Sequence, residues 1–214
     1  MATVFDQGHM RRAIALAHAR LGSTWPNPTV GCVIAHGETV IAEAVTGPGG
    51  PGSAAQRRHA EEQALIAAGE AARGGVAYVT LEPCGRRSSG RPSCADRLVA
   101  AGVARVAVAC ADPSPLASGL GLERLRAAGI PVESDLLAGE AAGLYAGYRR
   151  RLDTGRPLIL AADNALGFDA EFTADSGEDL ARAVSRLGEA GYTRVWVKRG
   201  EPLENRLRQA GLLD

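Results

Sequence analysis

Two cysteines at the ends of a polar loop constrain this chain more than any other feature of its sequence. Cys84 and Cys94 lie in the stretch L-E-P-C-G-R-R-S-S-G-R-P-S-C, with nine residues between them. His59, in the upstream stretch R-R-H-A-E-E-Q-A-L, adds an imidazole. One imidazole and two thiolates are a ligand set that a catalytic zinc ion uses, with its fourth position left for water. We therefore predict a zinc site formed by His59, Cys84 and Cys94.

A carboxylate stands two residues after the histidine of this set. In the middle of a helix, residues two apart point to different faces. In a first turn that faces the site, His59 and Glu61 can still reach one point. Glu61 is therefore predicted to remain outside the metal's ligands and to carry protons. His59 and Cys94 are each expected to open a helix, whose N-terminal N–H groups stabilise negative charge and favour thiolates.

Hydrophobic periodicity predicts an alternation of strands and helices after an initial helix and a hairpin. This order is typical of a mixed sheet covered by helices on both faces, a three-layer α/β/α domain. Helices are predicted at Asp6–Leu21, His59–Ala68, Cys94–Ala101, Leu120–Ala128 and Gly139–Leu152, and strands at Thr29–Ala35, Thr39–Val45, Val76–Leu81, Arg105–Cys110 and Pro131–Glu133.

The last part of the chain is predicted to form a short α/β remnant. The stretch D-T-G-R-P at Asp153–Pro157 is interpreted as a linker, so that residues 1–152 form one domain and 153–214 a tail. In the tail, strands are predicted at Leu158–Ala162 and Arg194–Lys198, a helix at Glu178–Ala190, and a further helix at the end. The tail is too short for a typical independent nucleotide-binding domain.

Charge and hydropathy indicate which binding partners and which cell compartment to expect. The 24 basic residues balance the 24 acidic ones, so we expect neither nucleic acid nor an anionic membrane surface as a partner. No apolar run approaches the ~18 residues of a membrane span, and the first twenty residues lack a signal-peptide core. We expect a cytoplasmic protein whose cysteines stay reduced.

For several polar and thiol side chains outside this set, an ordinary structural position is considered beside a functional one. Cys32 and Cys110 lie in apolar, strand-like runs and are expected to be ordinary buried thiols. Arg57 and Arg58 are expected to face solvent. The pair Arg86–Arg87 can either reach a phosphate or form a solvated loop tip.

The chain resembles a known enzyme family in several motifs that follow one another in the same order. These are N-P-T-V-G-C-V-I-A at 27–35, H-A-E at 59–61, L-E-P-C at 81–84, G-R-P-S-C at 90–94 and A-D-P-S-P at 111–115. They are similar to motifs in the deaminase domain of the bifunctional riboflavin-biosynthesis deaminase/reductases, which belong to the cytidine deaminase-like superfamily. The resemblance extends from about Asp6 to Leu152, and the tail faintly resembles a truncated reductase.

This resemblance implies a zinc-dependent hydrolytic deaminase acting on an aminopyrimidine nucleotide. The implied substrate is 2,5-diamino-6-ribosylamino-4(3H)-pyrimidinone 5′-phosphate. Zn²⁺ is the implied cofactor, Glu61 the implied proton carrier, and a homodimer or higher homo-oligomer the implied assembly. The implied substrate-binding residues are Asn27 for the ring or ribose, Asp112 for the sugar-phosphate part, Arg91 for the phosphate, Glu82 beside the base, and Ser114, which stands at the asparagine position of the last motif.

Three departures from the family pattern concern substrate recognition. The family carries a histidine on the loop before H-A-E, serine-histidine after the first cysteine, and D-P-N-P. Here the loop has no such histidine, Gly85 and Arg86 follow Cys84, and D-P-S-P stands at 112–115. None of these changes affects the predicted metal ligands.

Other functions therefore stay open beside the riboflavin precursor. One is deamination of another small amine-bearing heterocycle, and a second is a non-catalytic zinc-binding paralogue that serves as a structural or regulatory subunit. A tRNA-editing deaminase fits less well, because the chain lacks both a basic surplus and the short C-x-x-C spacing. Since most of a nicotinamide site is missing from the tail, we expect neither reductase activity nor NADPH binding.

Overall fold

The computed structural model describes residues 3–50, 57–87, 89–115 and 117–214. These residues form two compact units. The described residues of the first unit fall within Met1–Ala19, Thr29–Gly47 and Ala55–Gly143, and those of the second within Arg20–Pro28, Pro48–Ala54 and Leu144–Asp214. Within the described ranges, no helix has the length and apolar character that a membrane crossing requires.

The first unit is built on a five-stranded mixed sheet. Its strands are β1 (Gly31–His36), β2 (Thr39–Val45), β3 (Val76–Leu81), β4 (Arg105–Cys110) and β5 (Val132–Glu133). They lie in the order β2-β1-β3-β4-β5, in which β1 is antiparallel to both neighbours while β3, β4 and β5 run parallel. The carboxyl ends of β3 and β4 therefore meet at one edge of the sheet, where the following loops carry polar groups.

Helices cover both faces of this sheet. They are α1 (Val4–His18), α2 (Ala60–Ala68), α3 (Cys94–Ala101) and α4 (Leu120–Ala127). Helix α5 (Ala138–Thr154) follows β5 and continues from the first unit into the second. A side chain at Gly31 would run into the Ala13 backbone of α1, whereas its neighbour Cys32 faces Glu61 of α2. Because successive strand residues point to opposite faces, α1 and α2 lie on opposite sides of β1.

Local sequence sets the ends of the helices that matter most for function. Helix α3 begins after Ser93, whose side chain accepts the Asp96 N–H while the Asp96 carboxylate accepts the Ser93 N–H. This capping box satisfies two backbone donors that the first turn leaves without partners. The helix ends at Gly102, which adopts a left-handed backbone (φ 68°) that glycine tolerates best.

The second unit contains a three-stranded parallel sheet. The strands β6 (Leu158–Ala162), β7 (Ala170–Glu171) and β8 (Arg194–Lys198) lie in the order β6-β8-β7 and pack with α6 (Leu180–Ala190) and α7 (Pro202–Gln209). Its apolar core has Ile159, Val184, Val195 and Leu207 at its centre. Helix α6 begins after Asp179, which caps the helix by accepting two backbone N–H groups.

The predicted three-layer α/β/α fold with a mixed sheet is confirmed. Several predicted bounds differ by one to three residues, and the largest shift is in α1, which ends at His18 rather than Leu21. The two-residue strand β7 was not predicted, and Asp153 and Thr154, which were interpreted as linker, are the last residues of α5. The compact units divide at Leu144 rather than after Leu152. The division into a deaminase domain and a reductase-like tail stays a prediction.

Candidate metal centre

The three predicted ligands lie at element ends around one point. His59 is the N-cap of α2, with an extended backbone (φ −74°, ψ 160°) and no capping hydrogen bond from its side chain, which leaves the imidazole for other partners. Cys94 is the first residue of α3. Cys84 follows the carboxyl end of β3, and its carbonyl accepts the Ala95 N–H at 3.2 Å.

The ligand atoms of these residues form one tight group. His59 Nδ1 lies 3.7 Å from Cys84 Sγ and 3.3 Å from Cys94 Sγ, and all three ligand atoms lie within 4.8 Å of one another. The Cys94 N–H, which is a free donor of the first turn of α3, points at Cys84 Sγ at 3.3 Å. A helix N-terminus thus faces a sulfur atom, as expected where a thiolate has to be stabilised.

Electrostatics favours the charged state of one sulfur atom. The pKa of Cys84 is lowered to about 4, chiefly by its hydrogen bond with Cys94 and also by the neighbouring His59, although burial opposes this. Both cysteines are buried and free of disulfides. A nitrogen and two sulfur atoms that converge in this way match the Cys₂His donor set of zinc. The residues present therefore fit a zinc ion.

Glu61 completes the group from the first turn of α2. Its side chain is almost fully buried, and Cys94 lies within hydrogen-bonding reach of its carboxylate. Burial raises the pKa of Glu61, a charged His59 opposes the rise and the Cys84 thiolate adds to it. A carboxylate with a raised pKa close to possible metal ligands is suited to exchange protons at neutral pH.

Glu82 holds the loop that follows β4. It is buried, and its carboxylate accepts the Gly119 N–H at 2.8 Å. Its own N–H donates to the Cys110 carbonyl at 2.9 Å. Glu82 therefore links the end of β3 to the loop 111–119.

Asp112 and Ser114 lie in that loop and bind each other. The Asp112 carboxylate accepts the Ser114 N–H at 2.8 Å. Burial raises the pKa of Asp112, and the Cys84 thiolate adds to the rise while His59 lowers it. Asp112 thus lies within electrostatic range of the candidate metal group.

Arg91 belongs to a cluster of charged side chains. It pairs with Glu62, a buried residue of α2 that sequence reasoning did not single out. Glu62 also binds Arg87, whose buried guanidinium donates to the Glu62 carboxylate at 2.6 Å. The interpretation of Arg87 as a solvated loop tip was therefore wrong. Arg86 is exposed.

Arg57 also differs from its expected position. It is buried rather than facing solvent, and its carbonyl accepts a hydrogen bond from the Arg87 guanidinium at 2.7 Å. Arg58 is exposed, as expected, and Cys32 and Cys110 are buried as expected. The sequence signal for the pairing of Glu62 with arginines was the excess of arginines in the inter-cysteine loop, together with an acidic residue one helical turn after His59.

Asn27 lies in the second unit, in a turn just after the cis Trp25–Pro26 peptide. Its backbone N–H donates to the Thr24 carbonyl at 3.2 Å, and the Thr24 hydroxyl donates to the Asn27 carbonyl at 3.1 Å. Its assignment to the substrate stays a prediction.

Comparison with known proteins places this arrangement in a class. The profile described as "Cytidine and deoxycytidylate deaminase zinc-binding region" matches residues 3–110, which include all three candidate ligands and Glu61. Fold and site together define a deaminase-type protein of this zinc-binding class.

The similar proteins within that class are named for riboflavin biosynthesis or for deamination of a pyrimidine. A diaminohydroxyphosphoribosylamino-pyrimidine deaminase of Buchnera aphidicola is 41% identical over 152 residues, which are 71% of this chain and 99% of the relative. The riboflavin biosynthesis protein RibD of Escherichia coli is 46% identical over 154 residues, 72% of this chain and 40% of the relative. The chain belongs to this family of riboflavin-biosynthesis deaminases.

A solved structure extends the likeness to both units. RibD of Acinetobacter baumannii matches with a TM-score of 0.78 and 28% identity, covering 98% of this chain and 85% of that one. The chain nevertheless spans only 40–51% of the length of the RibD sequences of Escherichia coli and Actinobacillus pleuropneumoniae.

Proposed function

We propose that the chain is a zinc-dependent hydrolytic deaminase of 2,5-diamino-6-ribosylamino-4(3H)-pyrimidinone 5′-phosphate. The observation that carries this proposal is the buried Glu61 carboxylate beside the His59, Cys84 and Cys94 group. A metal site that serves only structure has no need of such a carboxylate. The relative from Buchnera aphidicola, whose name describes this substrate class, is matched along 99% of its length.

In the proposed mechanism, His59, Cys84 and Cys94 hold the zinc ion. When bound, zinc supplies the Lewis acidity that activates a water molecule at neutral pH. The water's oxygen forms a bond to the amine-bearing ring carbon, the carbon–nitrogen bond breaks, and ammonia leaves. The net reaction consumes one water and exchanges the exocyclic amine for an oxygen.

Glu61 moves the protons in this scheme. One carboxylate oxygen accepts a proton from the attacking water and passes it to the ring nitrogen beside the attacked carbon. It then assists protonation of the departing amine. The burial of Glu61 beside His59 and Cys94 supports this role, because the carboxyl has to hold the proton between the two transfers. Burial of the carboxylate also keeps bulk water from competing for the proton.

The remaining predicted residues are proposed for recognition. We assign Asp112 and Ser114 to the sugar-phosphate part, Arg91 to the phosphate and Asn27 to the ring or ribose. Glu82 is proposed to shape the base pocket by holding the loop that follows β4, since its carboxylate is already bound by the Gly119 N–H. Homo-oligomerisation and the absence of NADPH binding stay predictions, and a saturable NADPH titration would contradict the latter.

The test is ammonia release from this substrate by protein of measured zinc content. Glu61→Gln is the diagnostic variant, and Glu70→Gln is its control because Glu70 is an exposed acid on the same stretch of chain. We expect Glu61→Gln to keep one zinc per chain and lose turnover by roughly 10²–10⁴-fold, while Glu70→Gln matches wild type.

Two other results would change the assignment. Zinc-loaded wild type that releases no ammonia from this substrate, but does so from another amino-heterocycle, would show that the three recognition changes altered the substrate. Zinc binding without turnover on any amino-heterocycle would favour the structural or regulatory paralogue.

A further inference from the structure

The buried carboxylate of Glu62, one helical turn after His59, forms ion pairs with three guanidinium groups. Glu62 of α2 pairs with Arg87 at 2.6 Å, with Arg97 at 3.3 Å and with Arg91. The side chains of Glu62 and Arg87 are only 2% and 4% exposed, so their pairing takes place away from solvent. All three arginines come from the segment that begins at Cys84 and continues into α3.

Arg87 makes contacts on both sides of His59. One guanidinium nitrogen donates to Glu62 Oε2 at 2.6 Å, and the other donates to the Arg57 carbonyl at 2.7 Å. Arg57 precedes His59 by two residues, and Glu62 follows it by three. Since Arg87 itself is three residues after Cys84, one side chain fastens the segment of the first cysteine to the segment of the histidine.

The loop between the two cysteines needs such a fastening. Its described residues, 85–87 and 89–93, form neither helix nor strand. Ordering a polar loop of this kind costs conformational entropy that no apolar core offsets. A planar guanidinium held by a buried carboxylate and a carbonyl restricts the loop, because its hydrogen bonds fix direction as well as distance.

We propose that Arg87, held by Glu62, is a positioning residue that keeps Cys84 and the inter-cysteine loop in register with His59 and so slows release of the metal. The inference rests on the zinc site of the proposed function. It assigns no contact between Arg87 and the substrate or the metal. Arg87 acts through the backbone segments on either side of the ligands.

The charges around Glu62 indicate which variant is informative. Removing Glu62 leaves three guanidinium groups without their shared carboxylate, one of them buried, so that variant threatens folding. Removing Arg87 leaves Arg91 and Arg97 to neutralise Glu62. Arg87→Met keeps a long stem for packing and deletes only the two polar links. Arg87→Lys keeps the charge but replaces the planar fork by a single ammonium.

The experiment measures zinc loss from the full chain to excess chelator, followed with a colorimetric indicator below the unfolding temperature. We expect Arg87→Met to release zinc about tenfold faster than wild type, in line with the effect of residues that support ligands indirectly. Arg87→Lys should release zinc at least about threefold faster, by the same argument in weaker form. Arg86→Met is the control, since Arg86 is the exposed neighbour, and should keep the wild-type rate.

A spectroscopic measurement separates positioning from general stability. With Co²⁺ in place of zinc, Arg87→Met should show an altered visible absorption because the ligand geometry is less fixed, whereas Arg86→Met should not. Wild-type release rates and cobalt spectra in both Arg87 variants would overturn the inference. If Arg87→Met does not fold, the Arg87→Lys rate decides alone. Wild type that takes up no zinc would overturn the proposed function instead.

Discussion

Replacing Gly121 by alanine tests how α4 is seated on the segment that carries Cys84. A Cβ at Gly121 would overlap the Pro83 carbonyl oxygen, and it would lie 2.9 Å from the Pro83 carbonyl carbon and 3.4 Å from that of Cys84. A Cβ atom essentially never lies closer than 3.0 Å to a heavy atom outside its own residue and its chain neighbours. The obstacle is backbone, so either α4 or the Pro83–Cys84 segment has to move.

The expected cost follows from two losses. Overpacking against an unyielding neighbour costs about 1–3 kcal/mol. The same displacement pulls the Gly119 N–H from the Glu82 carboxylate, a bond of 2.8 Å between an amide and a buried acid, and hydrogen bonds to charged groups contribute about 1.5–3 kcal/mol. Because a partial shift keeps part of that bond, we expect Gly121→Ala to lower the free energy of unfolding by about 2–4 kcal/mol.

Urea unfolding followed by circular dichroism measures this difference. The control is Gly8→Ala in α1, where a Cβ would meet nothing within 4 Å. Since glycine costs a helix interior up to about 1 kcal/mol relative to alanine, Gly8→Ala should match or exceed the stability of wild type. A Gly121→Ala protein within about 0.5 kcal/mol of wild type, the scatter of neutral surface changes, would refute the close seating of α4.

Three further predictions concern pH, the second unit and the metal. Burial alone would raise the pKa of Asp6, but hydrogen bonds from Tyr78, Thr3 and Arg105 hold it well below its usual 3.8. The Asp6 contribution is therefore complete above about pH 4 and is lost as pH falls through the folded-state pKa. The stability gap between wild type and Asp6→Asn should shrink in urea titrations below pH 4, and a constant gap would contradict the sign. Asp169→Ala should cost about 2–4 kcal/mol, because its half-buried carboxylate accepts two backbone N–H groups and the Thr193 hydroxyl; chemical denaturation measures it, and a neutral result would disprove the anchoring role. Chelator should lower the Tm of zinc-loaded wild type, since a ligand bound only by the folded state stabilises it; an unchanged Tm in a thermal melt would exclude such coupling.

Local signals made much of the fold predictable. The bounds of β2, β3, β4, β6, β8 and α3 agree with those predicted, because apolar runs and glycine or proline boundaries define each of them within the chain itself. The strand β7 was missed because two residues carry no periodicity. It exists through parallel pairing with β8, about 25 residues further along the chain.

The convergence of His59, Cys84 and Cys94 could also be anticipated. Ligand type, the expected helix starts and the resemblance all point to the same three side chains, although their role as metal ligands stays a prediction. The Glu62–Arg87 pair could not be found in this way. Charged residues are rarely buried, and a buried pair depends on where two distant segments meet in three dimensions.

The hydrogen bonds of Glu82 have a consequence for how such a protein can change. Its carboxylate is bound by the main-chain N–H of Gly119, and every residue except proline supplies such a donor. The loop can therefore exchange its side chains and still be tethered to the strand that leads to Cys84. Side chains of this loop can therefore change in evolution while the segment beside the candidate ligands keeps its place.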